Sequence, residues 1–140
     1  KGIEAAYLKL KNALAGDKSD NAADAGEELV EAMATLDKSL LTSEQAKFYE
    51  DVEEDAREHA EHIGENAGNI GHQREHFAVL SQDMYDLVKT FGGGQMLYKN
   101  FCPMYNDKKG AIWLSETKTI KNPYYGKKML TCGSVQEELK

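Results

Sequence analysis

Sulfur-bearing side chains stand in two pairs near the C-terminal end of this sequence. Cys102 lies two residues before Met104, Met129 lies three residues before Cys132, and the chain has 2 cysteines in all. Thiolates and thioethers are soft donors that select Cu(I) and Ag(I), and a site dominated by thiolates also accepts Zn(II). One methionine alone would be weak evidence for a metal site, because methionine often fills gaps in a core. Two soft pairs that bracket one segment predict a metal site built from these side chains.

Histidines form the second group of residues that could bind a metal ion. All 4 lie between positions 59 and 76. His72 and His76 are four residues apart, a spacing that lets one helix face offer both rings to one metal ion. We therefore expect His76, and then His72, to complete the sulfur ligand set, whereas His59 and His62 are expected to be neutral surface residues. A zinc-protease site is not indicated, because Gln73 occupies the position of the catalytic glutamate.

Four stretches with apolar residues at every third or fourth position must carry these side chains. This period is typical of amphipathic helices. Gly16 is expected to end the first helix, Ser19 or Asp20 to cap the second, and Gly92–Gly94 to end the fourth. Thr42 and Gln45 have the spacing of a capping box at the start of the third. The predicted helices cover residues 3–15, 20–39, 43–66 and 70–91.

The composition changes after the glycines. Residues 96–101 and 111–114 are typical of short extended segments with a turn between them. We therefore predict one mainly α domain over residues 1–140. An antiparallel four-helix bundle fills residues 1–94, and an irregular, short-strand layer formed by residues 95–140 packs on it.

Charge and hydropathy exclude two classes of partner. The net charge of −7 argues against a nucleic-acid-binding protein, which needs cationic side chains to neutralise phosphates. No run of residues approaches the length of a membrane-spanning helix. Residues 1–94 carry a net charge of −11 and residues 95–140 a net charge of +4. This imbalance predicts a basic layer on an acidic helical body; the alternative is that the acidic helix faces are simply solvated.

The lengths of the segments allow the sulfur and histidine groups to meet. The helix from His76 to Phe91 is about 22 Å long, and an extended chain from Gln95 to Cys102 is about 23 Å long. If the chain turns back along the bundle, Cys102 and Met104 arrive level with His76. A mixed Cys, Met and His site is therefore permitted but not required.

Several segments together resemble a known domain family. They are His72–Phe77, Cys102–Met104, Lys109–Leu114, Asn122–Gly126 and Met129–Gly133. The sequence resembles the uncharacterised domain that is fused to, or encoded beside, the periplasmic adaptor subunits of copper/silver efflux systems. The resemblance implies binding of soft heavy-metal ions in the periplasm or cell envelope, with an efflux adaptor as a partner. Because the chain begins at Lys1, we expect that an upstream piece was removed, which leaves room for a signal sequence or a lipid anchor.

The envelope setting raises an alternative for the cysteines. Lone cysteines in an oxidising compartment tend to form disulfides, and both interpretations require Cα atoms of Cys102 and Cys132 within about 7 Å. A bridge would close a loop of about 30 residues and stabilise the fold by roughly 3–4 kcal/mol. The chain would then be a disulfide-braced interaction module without a metal site. Its partner-facing surface would carry exposed tyrosines, which are enriched at interfaces: Tyr98, Tyr105, Tyr124 and Tyr125.

An enzyme is the least favoured class. The sequence has no nucleophile elbow, no phosphate-binding glycine loop before a helix and no Cys-x-x-Cys pair. We therefore expect a non-enzymatic domain.

Overall fold

The chain forms four helices followed by a small antiparallel sheet, which confirms the predicted architecture. The structure is a computed structural model that describes residues 2–92 and 95–139. Gly92 is the C-cap residue of the last helix, whereas Gly93 and Gly94 of the predicted terminator lie outside the described residues. Within the described part of the chain, no helix is long and apolar enough to cross a membrane. The helices are α1 (Gly2–Ala15), α2 (Ser19–Ala34), α3 (Ser43–Glu65) and α4 (Ile70–Phe91).

The predicted apolar stripes form the core of the bundle. Consecutive helices pack side by side, α1 on α2, α2 on α3 and α3 on α4, as expected for antiparallel helices joined by short turns. The buried stripe residues include Tyr7, Leu10, Leu14, Leu29, Met33, Ala56, Ala60, Ile63, Phe77, Leu80 and Met84.

The capping box is confirmed and α1 ends at Ala15, directly before Gly16, but the left-handed residue after α1 and the N-cap of α2 differ from the prediction. The capping box forms as predicted: the Gln45 N–H donates to Thr42 Oγ1 at 3.1 Å, and the Thr42 N–H donates to Gln45 Oε1 at 3.0 Å. The left-handed residue after α1 is Asp17, at φ 59°, rather than Gly16. Ser19 does not cap α2, because its hydroxyl donates to Gln73 Oε1 at 2.7 Å instead.

The predicted end of the second helix is also wrong. The helix ends at Ala34, and a separate 3₁₀ turn covers Lys38–Leu40. The Asp37 carboxylate accepts a hydrogen bond from the Ser39 N–H at 3.0 Å. Aspartate favours such local hydrogen bonds over a helix interior, so the chain leaves the helix before the apolar stripe runs out.

The C-terminal layer is a three-stranded antiparallel sheet. Its strands are β1 (Leu97–Cys102), β2 (Ala111–Ser115) and β3 (Ser134–Leu139), with β1 in the centre. The first two match the predicted extended segments. The sequence analysis missed β3, whose residues are largely exposed and do not alternate between apolar and polar.

One tyrosine joins the sheet to the helices. The Tyr7 hydroxyl lies 2.7 Å from Ser81 Oγ in α4 and accepts a hydrogen bond from the Leu114 N–H in β2 at 3.0 Å. Its ring stacks on Phe77, with centroids 5.2 Å apart. Burial raises the pKa of Tyr7 far above its usual value, so the hydroxyl stays neutral. These contacts fix β2 against α1 and α4.

The net charges predicted ion pairs between cations of the layer and anions of the helices, but the ion pairs that join the two parts have the opposite polarity. Lys11 of α1 pairs with Glu116, directly after β2, and Lys89 of α4 pairs with Glu137 of β3. The helix supplies the cation and the layer supplies the anion in both pairs. Across residues 2–92 and 95–139, no ion pair joins a lysine of the layer to a helical carboxylate. The described pairs therefore do not support electrostatic attachment of the layer through its excess lysines.

Candidate functional site: a thiol pair and a histidine cluster

The two cysteines come together where β1 ends. Cys102 is the last residue of β1 and is fully buried, whereas Cys132 is partly exposed two residues before β3. Phe101 pairs with Ser134, which brings the backbone around Cys102 beside the residues just after Cys132. Both thiols are free. Burial raises the pKa of Cys132, and the neighbouring Cys102 thiol raises it further.

The Asn-Pro-Tyr-Tyr-Gly segment holds the Cys132 side of the pair. Asn122 is fully buried, and its side-chain amide donates to the Cys132 carbonyl at 2.8 Å. Its other side-chain atom, Oδ1, accepts from the Tyr124 N–H at 2.7 Å. Tyr124 in turn donates its hydroxyl proton to the Ile112 carbonyl of β2. The segment therefore fixes Cys132 to the sheet.

Both candidate methionines are open to solvent. Met104 is 42% exposed and Met129 is 37% exposed. The Cys132 N–H donates to the Met129 carbonyl at 3.0 Å, so Met129 belongs to the same turn as Cys132. Met104 follows β1 by two residues and so adjoins Cys102 along the chain. The two thioethers are thus accessible and lie on the segments that adjoin the thiol pair.

The four histidines form a cluster between α3 and α4. His76 Nδ1 lies 2.8 Å from His59 Nδ1, and His76 Nε2 lies 3.2 Å from His72 Nε2. The ring of His62 stacks on that of His76, with centroids 4.7 Å apart and an angle of 7° between the ring planes. The sequence analysis placed His59 and His62 among surface residues, and missed that they contact His76.

Carboxylates surround this cluster. Burial lowers the pKa of His76, and electrostatic repulsion from the neighbouring imidazoles lowers it further. Burial, followed by the neighbouring Asp55 carboxyl group, raises the pKa of Asp83 to about 8. Each of the three outer imidazoles has a carboxylate near one ring nitrogen: Asp55 is 3.5 Å from His59 Nε2, Glu65 is 3.8 Å from His62 Nδ1, and Glu75 is 3.1 Å from His72 Nδ1.

Gln73, which replaces the glutamate of a zinc-protease motif, has a structural role. Its side chain is fully buried and donates to the carbonyls of Ser19 and Ile63, both at 3.1 Å. The Ser19 hydroxyl also accepts from the Gly68 N–H at 2.9 Å. Gln73 therefore joins the start of α2 to the last turns of α3, which positions the helix ends that carry the histidines.

The predicted ligands fall into two groups. His72 and His76 lie together, as do Cys102 and Cys132. The loop after β1 does run beside α4, because residues 105–107 share a groove with Glu75 and Ala78–Val79. Within the described residues, no hydrogen bond, ion pair or ring contact joins an imidazole to a sulfur atom. The described residues also contain no group of three or more His, Cys, Asp or Glu arranged to hold a metal ion.

Comparison with known proteins identifies the family of the helical part. No curated protein and no solved structure matches the chain significantly. A family model described as "Protein of unknown function (DUF3347)" matches residues 3–96. This range covers the four helices and the histidine cluster, and it ends before Cys102, so the C-terminal segments that carried the resemblance lie outside the match. The chain belongs to the family of proteins of unknown function DUF3347.

Proposed function

We propose that this chain is a non-enzymatic domain that binds soft metal ions, Cu(I) or Ag(I), and holds them or hands them over. The observation that carries the proposal is the adjacency of the Cys102 and Cys132 thiols. Two thiolates are soft donors that suit Cu(I), and this ion tolerates a low coordination number. Zn(II) fits less well, because structural zinc sites use four ligands.

The exposure of the residues that carry the sulfur atoms supports entry and exit of an ion. Cys132 is partly exposed, and Met104 and Met129 are both more than one-third exposed. Methionine is flexible and polarisable, so an exposed thioether can approach an ion without repacking the core. The ion would contact the thioethers and Cys132 first, and the buried Cys102 would complete the pair.

The cell envelope and metal efflux are the setting that we propose, on the basis of the resemblance noted above. A periplasmic efflux adaptor would then be the partner that receives the ion. The oxidising environment sets a condition, since a Cys102–Cys132 disulfide would remove both thiolates. Ion binding and disulfide formation therefore compete for the same sulfur atoms.

The tyrosine positions do not favour the alternative of a disulfide-braced interaction module. That hypothesis expected four exposed tyrosines, but Tyr124 is only 2% exposed. Tyr105 stacks on Tyr124, with ring centroids 4.5 Å apart, and is itself half-buried. Tyr98 and Tyr125 are also half-buried. These rings are largely used in packing within the domain.

A competition titration tests the proposal. Fully reduced protein is titrated with Cu(I), Ag(I) and Zn(II) against chromophoric chelators of known affinity. We expect tight binding of one Cu(I) or Ag(I), weaker binding of Zn(II), and a loss of at least about tenfold in Cu(I) affinity in Cys132→Ser. Thr131→Ser, an exposed neighbour, is the matched control and should bind like the parent. Equal affinity of Cys132→Ser and Thr131→Ser would exclude the thiol pair as the binding site.

A further inference from the structure

The histidine cluster forms a continuous chain of polar contacts with a carboxylate at each end. Along this chain, Asp55 contacts His59 at 3.5 Å, His59 contacts His76 at 2.8 Å, His76 contacts His72 at 3.2 Å, and His72 contacts Glu75 at 3.1 Å. Both ends of the chain are hydrogen-bond acceptors when ionised. A neutral imidazole has one N–H donor and one lone pair.

Three of these contacts are within hydrogen-bond distance, and each needs one proton between its two atoms. Three neutral imidazoles supply three protons, so the metal-free cluster is satisfied when His59 donates to His76, His76 Nε2 donates to His72 Nε2, and His72 Nδ1 donates to Glu75. When His59 and His76 take their other tautomers, His59 Nε2–H faces Asp55, His76 Nδ1–H donates to His59, and the lone pairs of His76 Nε2 and His72 Nε2 face each other across 3.2 Å.

The contact between His72 and His76 is therefore where a cation binds between two ring nitrogens without any imidazole losing a proton. Two nitrogens bound at about 2.0–2.1 Å to one tetrahedral metal ion lie about 3.3 Å apart, and the two Nε2 atoms lie 3.2 Å apart. Glu75, 3.1 Å from His72 Nδ1, matches the arrangement in which a carboxylate fixes the tautomer of a metal-bound histidine. The site is reachable, because the side chains of His62 and His72 are 44% and 43% exposed.

We propose that the cluster is a second metal site, separate from the thiol pair, which takes a borderline divalent ion such as Zn(II) or Cu(II) between His72 Nε2 and His76 Nε2. Imidazole ligands suit these ions. His62, whose ring lies 4.7 Å from that of His76, is the nearest further imidazole and turns to supply a third nitrogen. His59 is a positioning residue, because it holds His76 Nδ1 and leaves Nε2 for the ion.

Co(II) is the probe that distinguishes this site from the thiol pair. Reduced, metal-free protein is titrated with Co(II), and the bound Co(II) is then displaced with Zn(II). Binding at the histidines gives visible cobalt bands without a sulfur-to-cobalt charge-transfer band. We expect at least about tenfold weaker binding in His72→Gln and His76→Gln, and a loss of about tenfold or more in the positioning variant His59→Gln. Glu50→Gln, an exposed position of α3 away from the cluster, is the matched control and should leave Co(II) binding unchanged.

Nitrogen-15 spectra of the imidazoles provide a second readout that does not depend on affinity. We expect Zn(II) to shift the Nε2 resonances of His72 and His76 and to leave Nδ1 of His72 protonated. His72→Gln keeps the test independent of folding, because this side chain is 43% exposed. A strong sulfur-to-cobalt band that disappears in Cys132→Ser would overturn the proposal. So would a failure of the reduced, metal-free protein to bind Co(II) and Zn(II).

Discussion

Arg74 in α4 donates a hydrogen bond to the Asp17 carboxylate at 2.9 Å, and this ion pair lies where the helices meet the C-terminal layer. The Asp17 carboxylate also accepts from the Lys127 N–H at 2.9 Å. Arg74 further donates to the carbonyls of Leu14 and Pro123, both at 2.7 Å. One guanidinium group thus joins the end of α1 to the segment that holds Cys132. The left-handed conformation of Asp17 follows from this role, because it aims the carboxylate at both donors.

Replacement of Arg74 should destabilise the whole domain. Arg74→Met removes three hydrogen bonds, to the Leu14 and Pro123 carbonyls and to Asp17 Oδ1, so we expect a loss of about 3 kcal/mol in the free energy of unfolding. Arg74→Lys should recover only part of this loss, because an ammonium group lacks the planar fork of donors. Urea denaturation measures the free energy of unfolding of both variants. Lys9→Met is the control: it removes an exposed ion pair with Glu28 and should lower the free energy of unfolding by less than about 1 kcal/mol. A loss in Arg74→Met that is no larger than the loss in Lys9→Met would contradict this account.

Helices α2 and α3 approach closely at Gly26. A Cβ atom added at Gly26 would lie 2.9 Å from the Ala60 carbonyl oxygen, so Gly26→Ala should force the helices apart and cost about 1–3 kcal/mol. Gly71, in α4, is the matched control, because a Cβ atom there would have open space within 4 Å. Gly71→Ala should stabilise the protein by about 0.5–1 kcal/mol through higher helix propensity. Thermal unfolding of both variants checks the prediction, and a stabilised Gly26→Ala would contradict it.

The ionisation of His76 and of Glu116 should each lower stability in acid, in two separate pH ranges, whereas the raised pKa of Asp83 acts in the opposite direction. The pKa of His76 lies below its usual value of 6.5, because of burial and then the neighbouring imidazoles. The unfolded chain therefore binds more protons, and stability falls as the pH drops below about 6.5. Burial acts to raise the pKa of Glu116, but hydrogen bonds from Lys11 and Asn12 lower it to about 2. The contribution of Glu116 to the free energy of unfolding is lost only as the pH falls from about 4.5 towards 2.

Unfolding free energies measured from pH 3 to pH 8 separate these contributions. Relative to the parent, His76→Gln should remove a contribution that falls as the pH drops below about 6.5, whereas Glu116→Gln should change the curve only below about pH 4.5. An unchanged slope near pH 6 in His76→Gln would show that the cluster does not set the acid sensitivity.

The sequence contained enough information to predict the helices and the first two strands. Apolar residues at helical spacing, and local pairs such as Thr42 and Gln45, depend only on neighbouring positions. The strand β3 could not be predicted, because its residues are mostly exposed and gain their structure from long-range contacts. Glu137 of β3, for example, accepts from the Tyr85 hydroxyl at 2.7 Å and pairs with Lys89, both in α4.

In the candidate site, too, local spacing could be predicted from the sequence and long-range contacts could not. The spacing of His72 and His76 predicted one shared helix face, and the structure places their rings together. The contact of His59 with His76 depends on how α3 and α4 rotate about their axes, which the turn between them does not determine. The roles of Gln73 and Arg74 were also missed, because both bind backbone carbonyls that are distant in sequence.

Removal of both thioethers tests whether they bind the ion. Met104→Leu combined with Met129→Leu should weaken Cu(I) binding by about tenfold, which corresponds to about 1.4 kcal/mol. Leucine roughly conserves the volume of methionine, so stability should change by less than about 1.5 kcal/mol. Met96 is 36% exposed, and Met96→Leu is the matched control. A competition titration that finds parental affinity in the double variant would remove Met104 and Met129 from the ligand set.

The copper X-ray absorption spectrum of reduced protein with one equivalent of Cu(I) tests the proposed function most directly. The spectrum reports which elements lie in the first coordination shell, and it does so for the parent protein without the need for a variant. If Cys102 and Cys132 bind the ion, the shell contains two or three sulfur atoms and no nitrogen, and it becomes poorer in sulfur in Cys132→Ser. A shell of nitrogen atoms only would place Cu(I) at the histidine cluster and contradict the assignment of the thiol pair.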